Sequence, residues 1–564
     1  MVTDRSLVRV HKYGALPVSA DREAALRRLA DEQFDVLVIG GGITGAGVAL
    51  DAVSRGLKVA LVERRDLASG TSSKSSKLVH GGLRYLQQKE FRLVYQALAE
   101  RQRLRHTAPH LVRLLPFLIP IFGKDGIIHP KLRKALNSAL WMYDLTGGAR
   151  IGKLHDQIKK DETLAHVPTL KSDRTLGAFI YYDAQTDDAR LTMMIARSAI
   201  DRGAVIANWC PVVEILKGDG GKAVGARVIA GGSTIDVRAT TVVNAAGVWS
   251  DEVRALDEGA DPDSIRPAKG IHITVPWEKV RNDIACVFPV PKDRRSIFVV
   301  PMGGKTYIGT TDTDYDGPID DPQCTSDDID YLINAVNASI DPPLTRDDVL
   351  ATWAGLRPLV KSEGISERTA DLSRHHKVVR SASGVVSVTG GKLTTYRRMA
   401  EDTVDEIAPR TRCRTKKLQL HGADGYDALI KDVDGAAARL GISADLVTHL
   451  ANRHGADTRV LAAMIVADPS LGEPVVPGLP HVKAEAVHAV RHELARTLDD
   501  VLTRRIPARW LLRDAAAAAA DDVARLIAPD LEWSEEDIAR EVASFRAAVA
   551  HERESAGLPV TLDV

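Results

Sequence analysis

Cysteine is scarce in this chain. There are four in 564 residues, Cys210, Cys286, Cys324 and Cys413, and they lie far apart. No CxxC pair and no Cys/His cluster occurs, so zinc and iron–sulfur ligation have no support in the sequence, and no metal is expected. The low count also suits a reducing compartment. No run of ~18 apolar residues is present, so no helix is expected to span a membrane. The opening MVTDRSLVRVHKYG lacks the apolar stretch of a secretory signal, which points to the cytoplasm. There is no excess of charge of either sign: Lys plus Arg and Asp plus Glu each number 75. A global basic field of the kind that binds nucleic acid is therefore absent. What remains is ordinary globular composition, 45% hydrophobic and 27% charged. At ~150 residues per domain, this length predicts three to four units and a core that needs no disulfide or metal staple.

Residues 1–33 read as a polar arm with a short amphipathic helix, REAALRRLA. FDVLVIGG is a buried strand stopped by glycines, Ile43 to Gly56 is helical, and LKVALVERRD is a second strand ending at Glu63. An amphipathic helix is expected over 83–107, with Leu83, Leu86, Val94 and Leu98 on one face. Segments near 204–214, 223–229 and 234–247 form a meander. IHITV, SIFVVP and TYIGTT are strands of a mixed sheet. Beyond about 411 the chain turns helical and alanine-rich. In 482–506, Val482, Ala486, Val490, Leu494, Leu498 and Leu502 step by four, predicting one continuous helical face.

The segment GGGITG places Gly40, Gly42 and Gly45 at G-x-G-x-x-G spacing. The first glycine allows the turn, the second lets the backbone approach a pyrophosphate, and the third lets helix and strand pack closely. The helix N-terminus presents free N–H groups to phosphate. Alone this motif is weak; here it follows a strand, opens a helix and precedes a strand ending in Glu63, which is placed to accept from ribose hydroxyls. The motif itself is compatible with FAD or NAD. VVNAAG, a later strand ending in small residues that include Ala246 and Gly247, is similar to one that passes the dinucleotide in glutathione-reductase-type flavoproteins, and this favours FAD.

Five segments, in order, resemble the aerobic FAD-dependent glycerol-3-phosphate dehydrogenase family: VIGGGITGAGVALDAVSRGLKVALVE, TSSKSSKLVHGGLRYLQQKEFRLVYQALAER, IGTTDTDY, WAGLRPL and GGKLTTYRRMAED. ELARTLDDVLTRRIPARWLL is similar to that family's helical domain. LVHGGLRYL and GGKLTTYR are the specific motifs. The resemblance implies an α/β FAD-binding Rossmann-like fold of glutathione-reductase type, with a mixed-sheet substrate cap and a C-terminal helical domain. On that reading 1–33 is an arm; 34–110, 200–250 and 384–410 form a discontinuous FAD domain; 111–199 is a cap or membrane-facing region; 251–383 is the substrate cap; and 411–564 is the helical domain.

The implied reaction oxidises glycerol 3-phosphate to dihydroxyacetone phosphate by hydride transfer from C2 to flavin N5. Arg84 and Arg357 lie in family motifs, and the guanidinium fork suits phosphate oxygens. His80, beside Gly81 and Gly82, is the candidate base, since imidazole takes a proton near neutral pH; an orienting role is the alternative. Lys392 is placed to set positive charge near the flavin pyrimidine ring. Tyr85, Thr311 and Thr395 are candidate substrate contacts. Thr310 and Asp312 are expected to help order the pocket, with Asp312 a weaker candidate base. Ser72, Ser76, Gly391, Leu393 and Thr394 complete the candidate cofactor contacts.

The stretch 111–145 is apolar, proline-bearing and basic: Pro116, Phe117, Leu118, Ile119, Pro120 and Phe122, then Lys131, Arg133, Lys134 and Trp141. The resemblance implies peripheral attachment here to the inner face of the cell membrane, with a membrane quinone as acceptor; packing on the protein itself is the alternative. A homodimer is compatible with the resemblance. Two other activities share the cofactor site: a glycerol-3-phosphate oxidase using oxygen, and an amino-acid-oxidase-like enzyme that needs no phosphate clamp. A flavin-bearing binding module without turnover is the non-enzymatic alternative.

Overall fold

The computed structural model describes residues 21–83, 90–123, 130–147, 151–290, 295–361 and 375–558. Arg84 and Tyr85 therefore lie outside the described residues. Two sheets carry the fold. In the first, Gln33–Ile39 sits at the centre, parallel to Ser233–Asn244 on one side and to Val59–Val62 on the other. Val205–Ala207 extends the sheet beyond Val59–Val62, and Val386–Thr389 and Lys377–Arg380 extend it beyond Ser233–Asn244. Both faces are covered, so the central strand reads as a continuous apolar run rather than an alternating one. Val36 and Val38 face one core; Phe34, Leu37 and Ile39 face the other.

The second sheet is largely antiparallel. Its path is Thr313–Asp314, Ile265–Pro276, Lys305–Gly309, Ser296–Met302, Ala285–Pro289, Arg113–Phe122, Thr175–Gln185 and Leu78–Val79. Ala351–Val360 lies along Ile265–Pro276 over ten paired positions, from Ile265 with Val360 to Thr274 with Ala351. The region 111–199 is divided between the two sheets. Its strands 113–122, 156–159 and 175–185 belong to the same sheet as 265–360, while the helix Asp188–Ile200 packs on Ile43–Ser54 against the first sheet. The apolar run expected at a bilayer is, in its first half, a core strand: Phe117, Leu118, Ile119, Ile121 and Phe122 are buried. The helix expected from residue 83 is described from Phe91 to Thr107.

The C-terminal helices run from Tyr426 to Ser555. The continuous helix expected over 482–506 is interrupted. Lys483–His492 ends at Glu493, Leu494 takes φ 60°, and the chain resumes as a π-type turn over Asp500–Arg505. The break lets side chains turn inward. Asp66, in the loop after Val59–Val62, is fully buried and accepts from Arg504 Nε at 2.6 Å and from Arg505 Nη1 and Nη2 at 2.7 and 2.8 Å. Burial works against the charge on Asp66, but the two guanidinium groups win and hold its carboxyl below the usual range. A polar pattern of this kind is invisible to a search for apolar periodicity.

His421 ties the same junction from another side. Its ring nitrogens meet Asp201 Oδ2 at 2.6 Å and Asp457 Oδ2 at 2.8 Å. Burial lowers its pKa, the two carboxylates raise it further, and the result is about 9. Because an unfolded histidine titrates near ~6.5, the protonated ring favours the folded state. That contribution is complete below about pH 6.5 and is lost as pH rises through about 9. Urea midpoints for the parent protein should therefore fall between pH 6.5 and 9.5 by more than those of His421→Asn. Equal falls in the two proteins would refute the linkage.

Candidate active site

A cavity of about 340 Å³ opens where the two sheets meet. One end is the glycine turn. Gly40 takes φ 109°, and a Cβ there would stand 2.7 Å from the carbonyl oxygen of Ala245. A Cβ on Gly45 would meet the oxygen of Gly40 at 1.9 Å, so helix and strand approach closely only because that Cβ is absent. Gly42 precedes the helix Ile43–Ser54, and Ser72 Oγ accepts the Ile43 N–H at 2.9 Å. Glu63 Oε2 accepts the Gly41 N–H at 2.6 Å, and Oε1 accepts that of Arg65 at 2.9 Å. Burial raises the Glu63 pKa despite these donors. Among the candidate cofactor residues, Gly40, Gly42, Glu63, Ser72, Ser76, Ala246, Gly247, Gly391, Leu393 and Thr394 line the cavity. Gly45 lies behind it.

The other end holds His80, Arg357 and Lys392. The His80 backbone N–H donates to Thr394 Oγ1 at 3.1 Å, which fastens the first long motif to the last. Arg357 donates to Asp312 Oδ1 at 3.2 Å, to Thr310 Oγ1 at 3.2 Å and to the Thr311 carbonyl at 3.1 Å. Gly270, across the strand pair, leaves its guanidinium room, since a Cβ there would come within 2.5 Å of Nη2. Thr311 and Thr395 do not line the cavity. Thr311 Oγ1 accepts the Ile271 N–H at 3.3 Å, and Thr395 Oγ1 donates to the Lys392 carbonyl at 3.3 Å. Their neighbours Thr310 and Thr394 take the lining positions. Strand and turn geometry decide which of two adjacent threonines faces in, and the sequence does not show it.

Two residues absent from the sequence reading matter here. His272, in IHITV, lines the cavity, stacks on Trp353 at 4.8 Å and shares a 2.9 Å hydrogen bond with Ser76 Oγ. Burial, with Arg357 nearby, drives its pKa well below the usual value, so the ring is neutral near pH 7. Lys77, within the segment 71–80, is buried. Its Nζ donates to Asp188 Oδ1 at 2.6 Å and to the Ser73 carbonyl at 2.9 Å, while Asp188 Oδ2 accepts from the Ser75 N–H and Oγ at 2.9 and 2.6 Å. The lysine spacing in TSSKSSK was the available signal.

The comparisons with known proteins agree with this geometry. A family model described as FAD dependent oxidoreductase matches residues 35–397, and one described as the C-terminal domain of alpha-glycerophosphate oxidase matches 413–538. The chain is 42% identical over 543 residues to glycerol-3-phosphate dehydrogenase 2 of Mycobacterium tuberculosis, covering 94% of this chain and 91% of that one. It is 37% identical over 545 residues to the mitochondrial glycerol-3-phosphate dehydrogenase of Rattus norvegicus, covering 91% and 73%. The X-ray structure of glycerol-3-phosphate dehydrogenase from Bacillus halodurans complexed with FAD superposes with a TM-score of 0.77 at 33% identity, covering 95% and 98%. The chain thus belongs to the FAD-dependent oxidoreductases and, within them, to the glycerol-3-phosphate dehydrogenase family. FAD is its cofactor, and the close cradle at Gly40 and Gly45 fits the dinucleotide.

Removing Asp188 leaves the Lys77 ammonium buried without its carboxylate, a change that typically costs ~3–5 kcal/mol. Asp188→Ala is expected to lower the urea midpoint accordingly and to purify with a reduced flavin-to-protein absorbance ratio. A fully loaded variant of parental stability would show that the pair does not organise the site.

Proposed function

We propose that this protein oxidises sn-glycerol 3-phosphate to dihydroxyacetone phosphate. The observation that carries the reading is the single cavity that runs from the glycine cradle to Arg357 and His80. Arg357 binds the substrate phosphate. Its fork is already aimed by Asp312, Thr310 and the Thr311 carbonyl, so little side-chain freedom is lost on binding. Arg84, outside the described residues, is proposed as its partner in the clamp. His80 accepts the C2 hydroxyl proton. Lys392, on the turn that also carries Thr394, supplies positive charge beside the reacting atoms. Held at Gly40, Gly42 and Glu63, FAD would supply the two-electron acceptor for the C2 hydride at its N5, with a membrane quinone as the final acceptor.

A specific observation favours a second assignment for the proton. His272 is a neutral imidazole in the same cavity, and its Nδ1 has no hydrogen-bond partner among the described residues. Removal of a general base costs ~10²–10⁴-fold in rate. His80→Asn is expected to lose that much in kcat/KM. A loss below tenfold in His80→Asn, with the large loss in His272→Asn, would move the role to His272.

The acceptor reading rests on the surface of helix Pro130–Thr146. Leu145 is 80% exposed and Trp141 47%, with Met142 between them in sequence and Arg133 and Lys134 exposed on the same helix. The Lys131 side chain lies outside the described residues. No helix among the described residues is long and apolar enough to cross a membrane. A helix with exposed apolar and basic residues can meet an anionic bilayer peripherally, and this supports the reading of attachment to the cytoplasmic face of the membrane, within reach of quinone.

Anaerobic addition of glycerol 3-phosphate is expected to bleach the flavin absorbance within seconds, while glycerol and amino acids leave it unchanged. Bleaching by an amino acid instead would favour the amine-oxidising reading. Recovery of colour with a soluble quinone, faster than with air, supports the quinone; the reverse order points to an oxidase. Arg357→Ala should raise KM or lower kcat/KM by at least tenfold for the phosphorylated substrate and far less for glycerol. Unchanged kcat/KM for glycerol 3-phosphate would remove the clamp assignment.

A further inference from the structure

A second cleft, of about 740 Å³, separates the C-terminal helices from the edge of the second sheet. The flavin cavity shares none of its lining residues. Arg113, Trp277 and Lys305 stand on the sheet side, and His449, Arg453 and His481 on the helical side. His449 comes from the helix Ala444–His454. His481 precedes the helix Lys483–His492, and Glu485 lies in that helix's first turn. One ligand atom from each of His449, His481 and Glu485 lies within 4.8 Å of the other two.

We propose that His449, His481 and Glu485 bind a divalent transition-metal ion of the zinc class, with a remaining coordination position facing this cleft. Two imidazoles and a carboxylate are the donor set such an ion prefers, and a three-ligand protein site with an open position is common for it. Metal–nitrogen and metal–oxygen bonds of ~2.0–2.2 Å in a tetrahedron set the ligand atoms about 3.3 Å apart, so each side chain moves by under about 1 Å to close on the ion. His449 Nε2 and Glu485 Oε2 already stand 2.9 Å apart around a shared proton, and the ion takes the place of that proton. His481 is 3% exposed, and its Nδ1 has no hydrogen-bond partner among the described residues.

The surroundings hold the ligands in place. His481 is buried, and its ring stands edge-on to that of His449 with centroids 5.2 Å apart. Glu485 Oε2 also accepts the Val482 N–H at 2.9 Å, which fixes the carboxylate at the helix start. Its other oxygen accepts from His454 Nε2 at 3.0 Å and from Arg453 Nε at 3.3 Å. The Arg453 charge is shared with Asp187, 3.3 Å from Nη1, so it does not neutralise Glu485 alone. Supporting contacts of this kind orient a ligating carboxylate.

A neighbouring triad shows what excludes an ion. His454, His488 and Glu493 also bring three ligand atoms together, but all three are buried. Glu493 there is already bound by Arg190, whose Nη1 lies 2.6 Å from Oε2. A guanidinium holds the place that a cation would take.

The test uses chelator-treated holoenzyme titrated with Zn2+ against a chromophoric zinc indicator, with thermal midpoints recorded alongside. One equivalent per chain is expected, together with a raised midpoint. His449→Ala and His481→Asn should each weaken binding at least tenfold, while the exposed His551→Ala leaves it unchanged. Flavin content and the metal-free midpoint of each variant show whether it is folded. Co2+ added to the parent protein gives a readout independent of the variants: an intense tetrahedral visible spectrum supports the site. Absence of a stoichiometric site, a weak octahedral cobalt spectrum, or undiminished zinc binding in folded His449→Ala and His481→Asn would overturn the proposal.

Discussion

The buried Lys77–Asp188 pair sits beneath almost everything that the cavity requires. It is an ion pair with almost no access to water, so it is tolerable only because each partner is also hydrogen-bonded: Lys77 to Ser73, Asp188 to Ser75. Asp188 opens a helix packed on the dinucleotide helix, and Lys77 leads into a strand of the other sheet. The pair thereby fixes where the segment 71–80 crosses from one sheet to the other. Ser72 at the helix N-terminus, Ser76 on His272 and His80 against Thr394 all take their positions from that crossing.

A different electrostatic pattern closes the molecule at its far side. Asp66 lies only three residues past Glu63, yet its partners, Arg504 and Arg505, are far along the chain. His421 spans from Asp201 at the end of one helix to Asp457 among the C-terminal helices. The helical domain is thus docked on the nucleotide domain through buried charges. Geometry has to be right for such contacts to form at all, and a slipped register would leave charges buried and unpaired.

Much of the fold was legible in the sequence because it rests on local pattern. The strand Gln33–Ile39, the glycine turn and the helix from Ile43 follow from an apolar run, three glycines and a change of period. The motifs around His80, Arg357 and Lys392 were legible by resemblance, and the fold gathers these three residues at one cavity. What was illegible depends on distant partners. Pro116 to Phe122 reads equally well as a lipid-facing patch or a core strand, and only pairing with Thr175–Gln185 decides for the strand. The break after His492 answers to Asp66, more than four hundred residues upstream, which no helical period can report. Thr310 and Thr311 differ by one position, and strand geometry alone turns one toward the cavity. His449 and His481 stand 32 positions apart, outside the short spacings by which metal ligands are usually read, so their convergence emerges only from the packing of two helices.

The cavity has walls of separate origin. Its cradle at Gly40, Gly42 and Ala246 belongs to the first sheet, whereas Gly270, His272 and Arg357 stand on adjacent strands of the second. A substitution on the second sheet alters what is held against the cofactor without touching the backbone approach that binds it. Such a molecule can drift toward new substrates by changing a few side chains on two paired strands. The glycine turn tolerates no such change, because a Cβ at Gly40 or Gly45 would strike backbone.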